Sequence, residues 1–138
     1  MSLKLSAAAV ALLSVLTNSQ AADLNVEVVG IAEAKGDVLV SLFNQEDGWL
    51  RKGVGSSKVA AEMGTVKVTF KDLPEGDYAV SVIHDLNSNR KLDTNPIGMP
   101  IEPYGFSNDA SGNFGPPTFE QAKFKLGPGN KSIAVKLD

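Results

Sequence analysis

Short stretches in which apolar and polar residues alternate recur along the chain from residue 23 onward. Such alternation is typical of strands that bury one face, and turn residues separate the stretches. The segment 36–43 is apolar at both parities, which favours a central strand. The predicted strands are 23–30, 36–43, 58–63, 65–71, 77–84, 118–126 and 133–137. About seven short strands predict an all-β fold, an antiparallel β-sandwich of the immunoglobulin-like class.

The clearest alternation lies in two neighbouring segments, 65–71 and 77–84. Between them, Pro74 suits the second position of a turn and Gly76 suits the fourth. We therefore expect these two strands to form an antiparallel hairpin. The segment 44–57 is polar and glycine-rich and is predicted to be a loop.

No periodicity is found between Asp85 and Pro117, so the sequence predicts one long loop. A loop of this length in a compact domain is usually functional and needs an apolar anchor. Its aromatic residues either line a binding patch or cap the end of the sandwich, and packing is the preferred interpretation. The candidate binding residues in and beside the loop are His84, Glu102, Tyr104, Phe106 and Asn108.

Polar oxygens recur at a fixed spacing at the start of this loop. Asp85, Asn87, Asn89 and Asp93 stand at positions 1, 3, 5 and 9 of a calcium-loop template, and the Lys91 carbonyl stands at position 7. These five residues are the candidate metal ligands, and calcium is the candidate cofactor.

Two positions depart from the calcium template: position 6 is Arg90 instead of glycine, and position 12 is Pro96 instead of glutamate. A site would need a further ligand, for which Asn95, Glu102 and Asp109 are the candidates. The expected affinity is weak, with a Kd on the order of 10⁻⁴ to 10⁻³ M. The alternative is a metal-free turn in which Asp and Asn side chains bond backbone amides, and the sequence leaves both open.

His84 is the only histidine in the chain and stands at the end of an inward-facing row. In that position a histidine is more often a hydrogen-bonded residue than a catalytic base. Catalysis would require a small hydrolase that uses His84 and Asp85 beside Tyr104. No serine or cysteine nucleophile motif accompanies them, which makes this the less favoured alternative.

The first residues predict export. Lys4 precedes an apolar run at 7–16, and Ser19-Gln20-Ala21 is a small-x-small cleavage signal. Residues 1–21 are therefore predicted to be a signal peptide, and 22–138 a single domain in the periplasm or outside the cell. The apolar run is shorter than the roughly 20 residues that a membrane span needs, so no span is expected in the mature form.

Composition excludes several classes of function. The chain has no cysteine, which excludes a disulfide framework, a thiolate metal site and a cysteine nucleophile. Its formal charge is −3, and loss of the one lysine in residues 1–21 makes it −4. An acidic chain lacks the broad basic face that nucleic acid or anionic lipid needs, so neither is expected as a partner.

Three blocks of residues carry a resemblance to a known family. They are Phe70-x-x-Leu73-Pro74-x-Gly76-x-Tyr78, then His84-Asp85-x-Asn87-x-Asn89-x-x-Leu92-Asp93, and then Gly98-x-Pro100-x-Glu102-x-Tyr104-Gly105-Phe106. The chain resembles the exported bacterial family called domain of unknown function 2141, which implies export and a sandwich fold but no activity. Arg90 departs from the glycine usual in that family.

The first block also resembles transthyretin-like and carboxypeptidase-regulatory-like sandwiches, which implies a prealbumin-like arrangement of the predicted β-sandwich. Some transthyretin relatives hydrolyse small ureides with several histidines, whereas this chain has one, so that activity is not carried over. The sequence thus predicts a monomeric, exported, non-enzymatic binding or accessory module. The alternatives are the hydrolase described above and a structural domain whose edge strand pairs with another protein.

Overall fold

The computed structural model describes residues 21–138, which form eight strands, one short 3-10 helix and one α-helical turn. The strands are β1 (Ala22–Ile31), β2 (Asp37–Phe43), β3 (Gly55–Ala60), β4 (Gly64–Leu73), β5 (Gly76–Asp85), β6 (Tyr104–Phe106), β7 (Phe124–Leu126) and β8 (Lys131–Lys136). The 3-10 helix is Ser107–Asp109 and the α-helix, α1, is Phe119–Ala122. Except for Ala21, the predicted signal peptide lies outside the described residues.

The strands form two sheets that share one core. One sheet has the order β4-β1-β8, and the other has the order β3-β2-β5-β6, with β7 paired to the first residues of β5. Alternate residues of β1, such as Leu24 and Val26, and of β2, such as Val38 and Val40, are fully buried in the same apolar cluster. The prediction of an all-β sandwich is confirmed, with eight strands instead of about seven.

One pairing in this sandwich is parallel, whereas the sequence predicted antiparallel strands only. Strand β1 pairs with β4 antiparallel and with β8 parallel, in a register that aligns Leu24 with Lys131 and Val29 with Lys136. Alternation shows which residues of a strand face the core, and it carries no information about the direction of the neighbouring strand. The direction of β8 was therefore not predictable from its pattern.

The predicted hairpin between β4 and β5 is wrong. Strand β4 pairs with β1, and β5 pairs with β2, β6 and β7, so the turn around Pro74 carries the chain from one sheet to the other. The predicted faces are nevertheless confirmed, because Val68 and Val80 are both buried in the common core. The alternating pattern of a strand is the same whether the next strand in the chain pairs with it in one sheet or packs opposite it in the other sheet.

Several strand boundaries also differ from the prediction, and the segment between Asp85 and Pro117, predicted as one loop, contains strand β6 and the 3-10 helix. Strand β3 begins at Gly55, three residues before the predicted strand, because it pairs along β2 from Leu42 to Asp37. The predicted strand at 118–126 begins as helix α1. Its capping box overrides the apolar alternation: the Thr118 hydroxyl accepts from the Gln121 N–H at 3.2 Å, and the Gln121 side chain accepts from the Thr118 N–H at 2.9 Å.

Candidate functional site

The polar loop after β5 is held by Asp85, the last residue of the strand. Asp85 is fully buried, and its two carboxylate oxygens accept the backbone N–H groups of Asn89 at 3.2 Å and Arg90 at 2.7 Å. A carboxylate that accepts two backbone amides makes charge-assisted hydrogen bonds, which are the stronger class. Asp85 therefore fixes the turn that follows it.

Two predicted ligands, Asn87 and Asn89, converge on the carboxylate of a third, Asp93. The side-chain amides of Asn87 and Asn89 donate to the two oxygens of Asp93 at 2.7 and 2.8 Å. These bonds favour the charged form, and the bond from Asn89 is the main cause that lowers the pKa of Asp93 below its usual value. Lys91 takes part through its backbone N–H, which donates to the Asn89 side-chain oxygen at 3.0 Å. The structure thus brings Asn87 and Asn89 together at Asp93, whereas Asp85 bonds the backbone of the turn.

Glu102 closes the loop from its far end. It is buried, and its two oxygens accept the backbone N–H groups of Leu86 at 2.7 Å and Asp93 at 2.8 Å. Of the three candidates for an additional ligand, Glu102 is therefore the one that contacts the loop. Asn95 instead organises the following turn, and Asp109 lies in the 3-10 helix.

The backbone at position 6 of the loop has the shape that the calcium template assigns to glycine. Arg90 has φ +64°, in the left-handed region, and Ser88 has φ +54°. Residues other than glycine adopt this region at a cost of roughly 1–2 kcal/mol, which the bonds to Asp85 offset here. The sharp turn of the template is thus present although its glycine is not.

Both oxygens of each of the three carboxylates in the loop accept N–H groups. The donors are backbone N–H groups at Asp85 and Glu102 and side-chain amides at Asp93. Within residues 21–138, no three acidic or histidine side chains are grouped so that they could hold a metal ion by themselves. A cation here would therefore also need amide or carbonyl oxygens, for which Asn87 and Asn89 would have to rotate their amide groups.

His84 directly precedes Asp85 in β5 and is 1% exposed. Its ring Nε2 is 2.7 Å from the Lys35 carbonyl oxygen, and its backbone N–H donates to the Pro103 carbonyl at 2.8 Å. Within residues 21–138, no hydrogen bond joins the ring to a carboxylate. His84 thus ties the segment before β2 to the end of β5, and its position agrees with the structural interpretation.

The aromatic candidates pack against one another at the other end of the long loop. Phe106 is buried, and its ring centroid lies 6.0 Å from that of Trp49 and 5.8 Å from that of Tyr104. The indole N–H of Trp49 donates to the Pro117 carbonyl at 2.8 Å. This cluster anchors the loop, as the preferred interpretation expected. Phe114 lies outside the cluster and is fully exposed.

Two polar residues hold the 3-10 helix and α1 together. The Asn108 side-chain amide donates to the Lys123 carbonyl at 2.7 Å, so this predicted binding residue has a structural contact. Ser107, which the sequence did not single out, is fully buried; its hydroxyl accepts the Val80 N–H at 2.9 Å and donates to the Ala122 carbonyl at 2.6 Å. A lone serine in a loop gives no sequence signal for such a role.

A groove of about 330 Å³ lies beside Tyr104, between the loop and β8. Its lining residues are Tyr104, Gly105, Phe106, Asp109, Ala110, Ser111, Gly112, Gly115, Pro117, Lys136 and Asp138. The carboxylates of Asp109 and Asp138 and the ammonium of Lys136 leave it with a mixed charge. Neither His84 nor Glu102, two of the predicted binding residues, is part of this lining.

A second feature of the loop is a small turn that projects apolar side chains, and we call residues 94–101 the apolar turn. Ile97, Met99 and Ile101 are 81%, 59% and 63% exposed. The turn is nevertheless ordered by hydrogen bonds: Asn95 accepts from Ile97 and Met99 through its side chain and pairs with Met99 and Gly98 through its backbone. A bond from Ile101 to the Asp93 carbonyl joins it to the polar loop.

The comparison with protein families decides the relationship of the chain. Residues 26–134 match the family described as an uncharacterized protein conserved in bacteria, domain of unknown function 2141. The chain belongs to this family. The match covers both sheets, the polar loop and the apolar turn, so these are parts of one family domain. No curated protein and no solved structure matches the chain. Among the described residues, no helix has the length and apolar character required to cross a membrane.

Proposed function

We propose that this protein is an exported, non-enzymatic binding module that contacts its partner through the apolar turn. The observation that supports the proposal is the combination of order and exposure at residues 94–101. Exposed apolar side chains on a surface are a common mark of interaction sites. A turn that is already ordered by Asn95 loses little conformational freedom when it binds, which favours affinity.

The geometry of His84 and Asp85 supports a non-enzymatic role. The histidine ring is buried against a carbonyl, and the carboxylate accepts two backbone amides. A general base has to reach the proton that it abstracts. Neither His84 nor Asp85 is among the residues that line the groove beside Tyr104. The hydrolase alternative therefore has less support than the binding module.

The edge-strand alternative also has less support. The strands at the ends of the two sheets are β3, β4, β6 and β8. Strands β3, β4 and β8 carry lysines, such as Lys58, Lys67 and Lys136, and β6 is only three residues long. Lysines on edge strands oppose pairing with the edge of another sheet.

The proposal is tested by photo-crosslinking in cells of the native source. With a benzoylphenylalanine at position 97, we expect adducts after irradiation, because the partner would cover this side chain. The matched control carries the same residue at Ser132, which is exposed on β8. Adducts to protein or lipid that form equally at both positions, or at neither, would contradict a contact through the apolar turn.

A second candidate function is weak calcium binding by the polar loop, residues 85–93. The left-handed backbone at Arg90 and the convergence of Asn87 and Asn89 on Asp93 support it. If the side-chain amides of Asn87 and Asn89 rotated by about half a turn, their oxygens would point toward an ion. The carboxylate of Asp93 would then lie between the two amide oxygens. Calcium would then bind to the folded state only and would stabilise it by mass action.

For this candidate we expect calcium to raise the melting temperature. About 10 mM calcium and a Kd of about 1 mM correspond to roughly 1.4 kcal/mol, or a few degrees for a domain of this size. Magnesium should do less because it requires tighter octahedral geometry. Asp93→Asn should abolish the shift, whereas Asp109→Asn, outside the loop, should retain it. A wild-type melting temperature that is equal in calcium and in EDTA would establish the metal-free turn.

A further inference from the structure

The area of the apolar turn limits what can cover it. A stable protein interface buries about 800 Å² on each partner, and the three exposed side chains of Ile97, Met99 and Ile101 supply less than this. A second copy of the chain held by this turn alone would therefore form a weak contact. A lipid bilayer can bind a small apolar surface. Each side chain that inserts between the acyl chains is removed from water, and no complementary protein surface is needed.

The charges beside the apolar turn are arranged asymmetrically. Arg90 and Lys91 are exposed, while Asp85 and Glu102 are buried. Asp93 is half-buried, and both its oxygens accept amide groups. The exposed charged side chains of the segment from residue 86 to residue 101 are therefore both basic, and they belong to the loop from which the apolar turn projects, although the chain as a whole is acidic.

We infer that the partner of the apolar turn is a phospholipid bilayer, with Ile97, Met99 and Ile101 among the acyl chains and Arg90 and Lys91 against lipid phosphates. This inference rests on the proposed function and names its partner. The proposed contact with lipid is local. The acidic composition of the chain argues against a broad basic face, but two basic side chains in the loop that carries the apolar turn do not need such a face. The expected orientation places the polar loop at the level of the headgroups.

The test is sedimentation of the protein with vesicles of phosphatidylcholine, alone or with about 30% phosphatidylglycerol. We expect association with both, and tighter association with the anionic vesicles. Ile97→Ser/Met99→Ser should weaken association with both by at least about tenfold, because two apolar side chains no longer leave water. Arg90→Gln/Lys91→Gln should weaken anionic binding by roughly 25-fold and change binding to pure phosphatidylcholine little.

Matched controls are Met63→Ser, an exposed methionine in the connection between β3 and β4, and Lys125→Gln on β7, and both should bind like the wild type. Melting temperatures verify that each variant is folded. If vesicles do not bind while position 97 crosslinks to an envelope protein, the lipid inference is wrong and the proposed function stands. If vesicle binding is unchanged by the serine variant, the lipid contact does not use this turn. If neither vesicles nor crosslinks are found, both proposals fail.

Discussion

Replacement of Gly36 by alanine is expected to destabilise the protein by about 3 kcal/mol or more. Gly36 has φ +69°, and a Cβ atom there would collide with the Asp85 carbonyl oxygen and lie 2.7 Å from the Leu86 carbonyl oxygen. The obstacle is backbone, which cannot move aside as a flexible side chain can. The Gly36 carbonyl also accepts the Ala61 N–H at 3.0 Å, so any shift would spread to the end of β3. Urea denaturation measures the loss.

Gly64→Ala is the matched control for Gly36→Ala. Gly64 also has a left-handed φ, +94°, and a Cβ there would meet no atom within 4 Å. We expect it to lose only the conformational strain, roughly 1–2 kcal/mol. Equal losses in the two variants would show that β2 and the end of β5 do not approach as closely as the structure indicates.

Asp85→Ala is expected to cost about 2–4 kcal/mol, because the N–H groups of Asn89 and Arg90 would lose a buried charged acceptor. Asp85→Asn keeps one acceptor oxygen and should lose less. The loss should appear in urea denaturation, together with faster hydrogen exchange at the two amides.

Asp93→Ala is the contrasting variant for Asp85→Ala, since Asp93 bonds exposed side-chain amides instead of backbone N–H groups. We expect it to reduce stability less than Asp85→Ala and to leave exchange at Asn89 and Arg90 largely unchanged. If the order of the two variants were reversed, the loop would be held by Asp93 and its asparagines.

The sequence was most informative where a pattern repeats. Alternation at Val66, Val68, Val80 and Val82 identified the buried faces correctly, because burial on one side of a strand depends only on parity. The spacing of Asp and Asn residues identified the polar loop, and the structure brings those side chains together at Asp93. The same spacing suits a metal-free turn and a calcium loop, so it could not choose between them.

The sequence did not predict the hydrogen bonds between residues that are far apart in the chain. His84 bonds Lys35, Glu102 bonds Leu86, and Ser107 joins Val80 to Ala122. A lone polar residue has no period, and its partner is far away in the chain, so neither composition nor spacing identifies the pair.

By itself, therefore, the sequence determined an all-β domain, the inward faces of its strands, and the place of its polar loop. These follow from local periodicity and from the residue types that turns require. Only the tertiary structure decided that β4 and β5 belong to different sheets, that β8 runs parallel to β1, and that Ile97 projects from an ordered turn. Strand partners and exposure depend on how separate segments pack, and the same alternating pattern is compatible with several such arrangements.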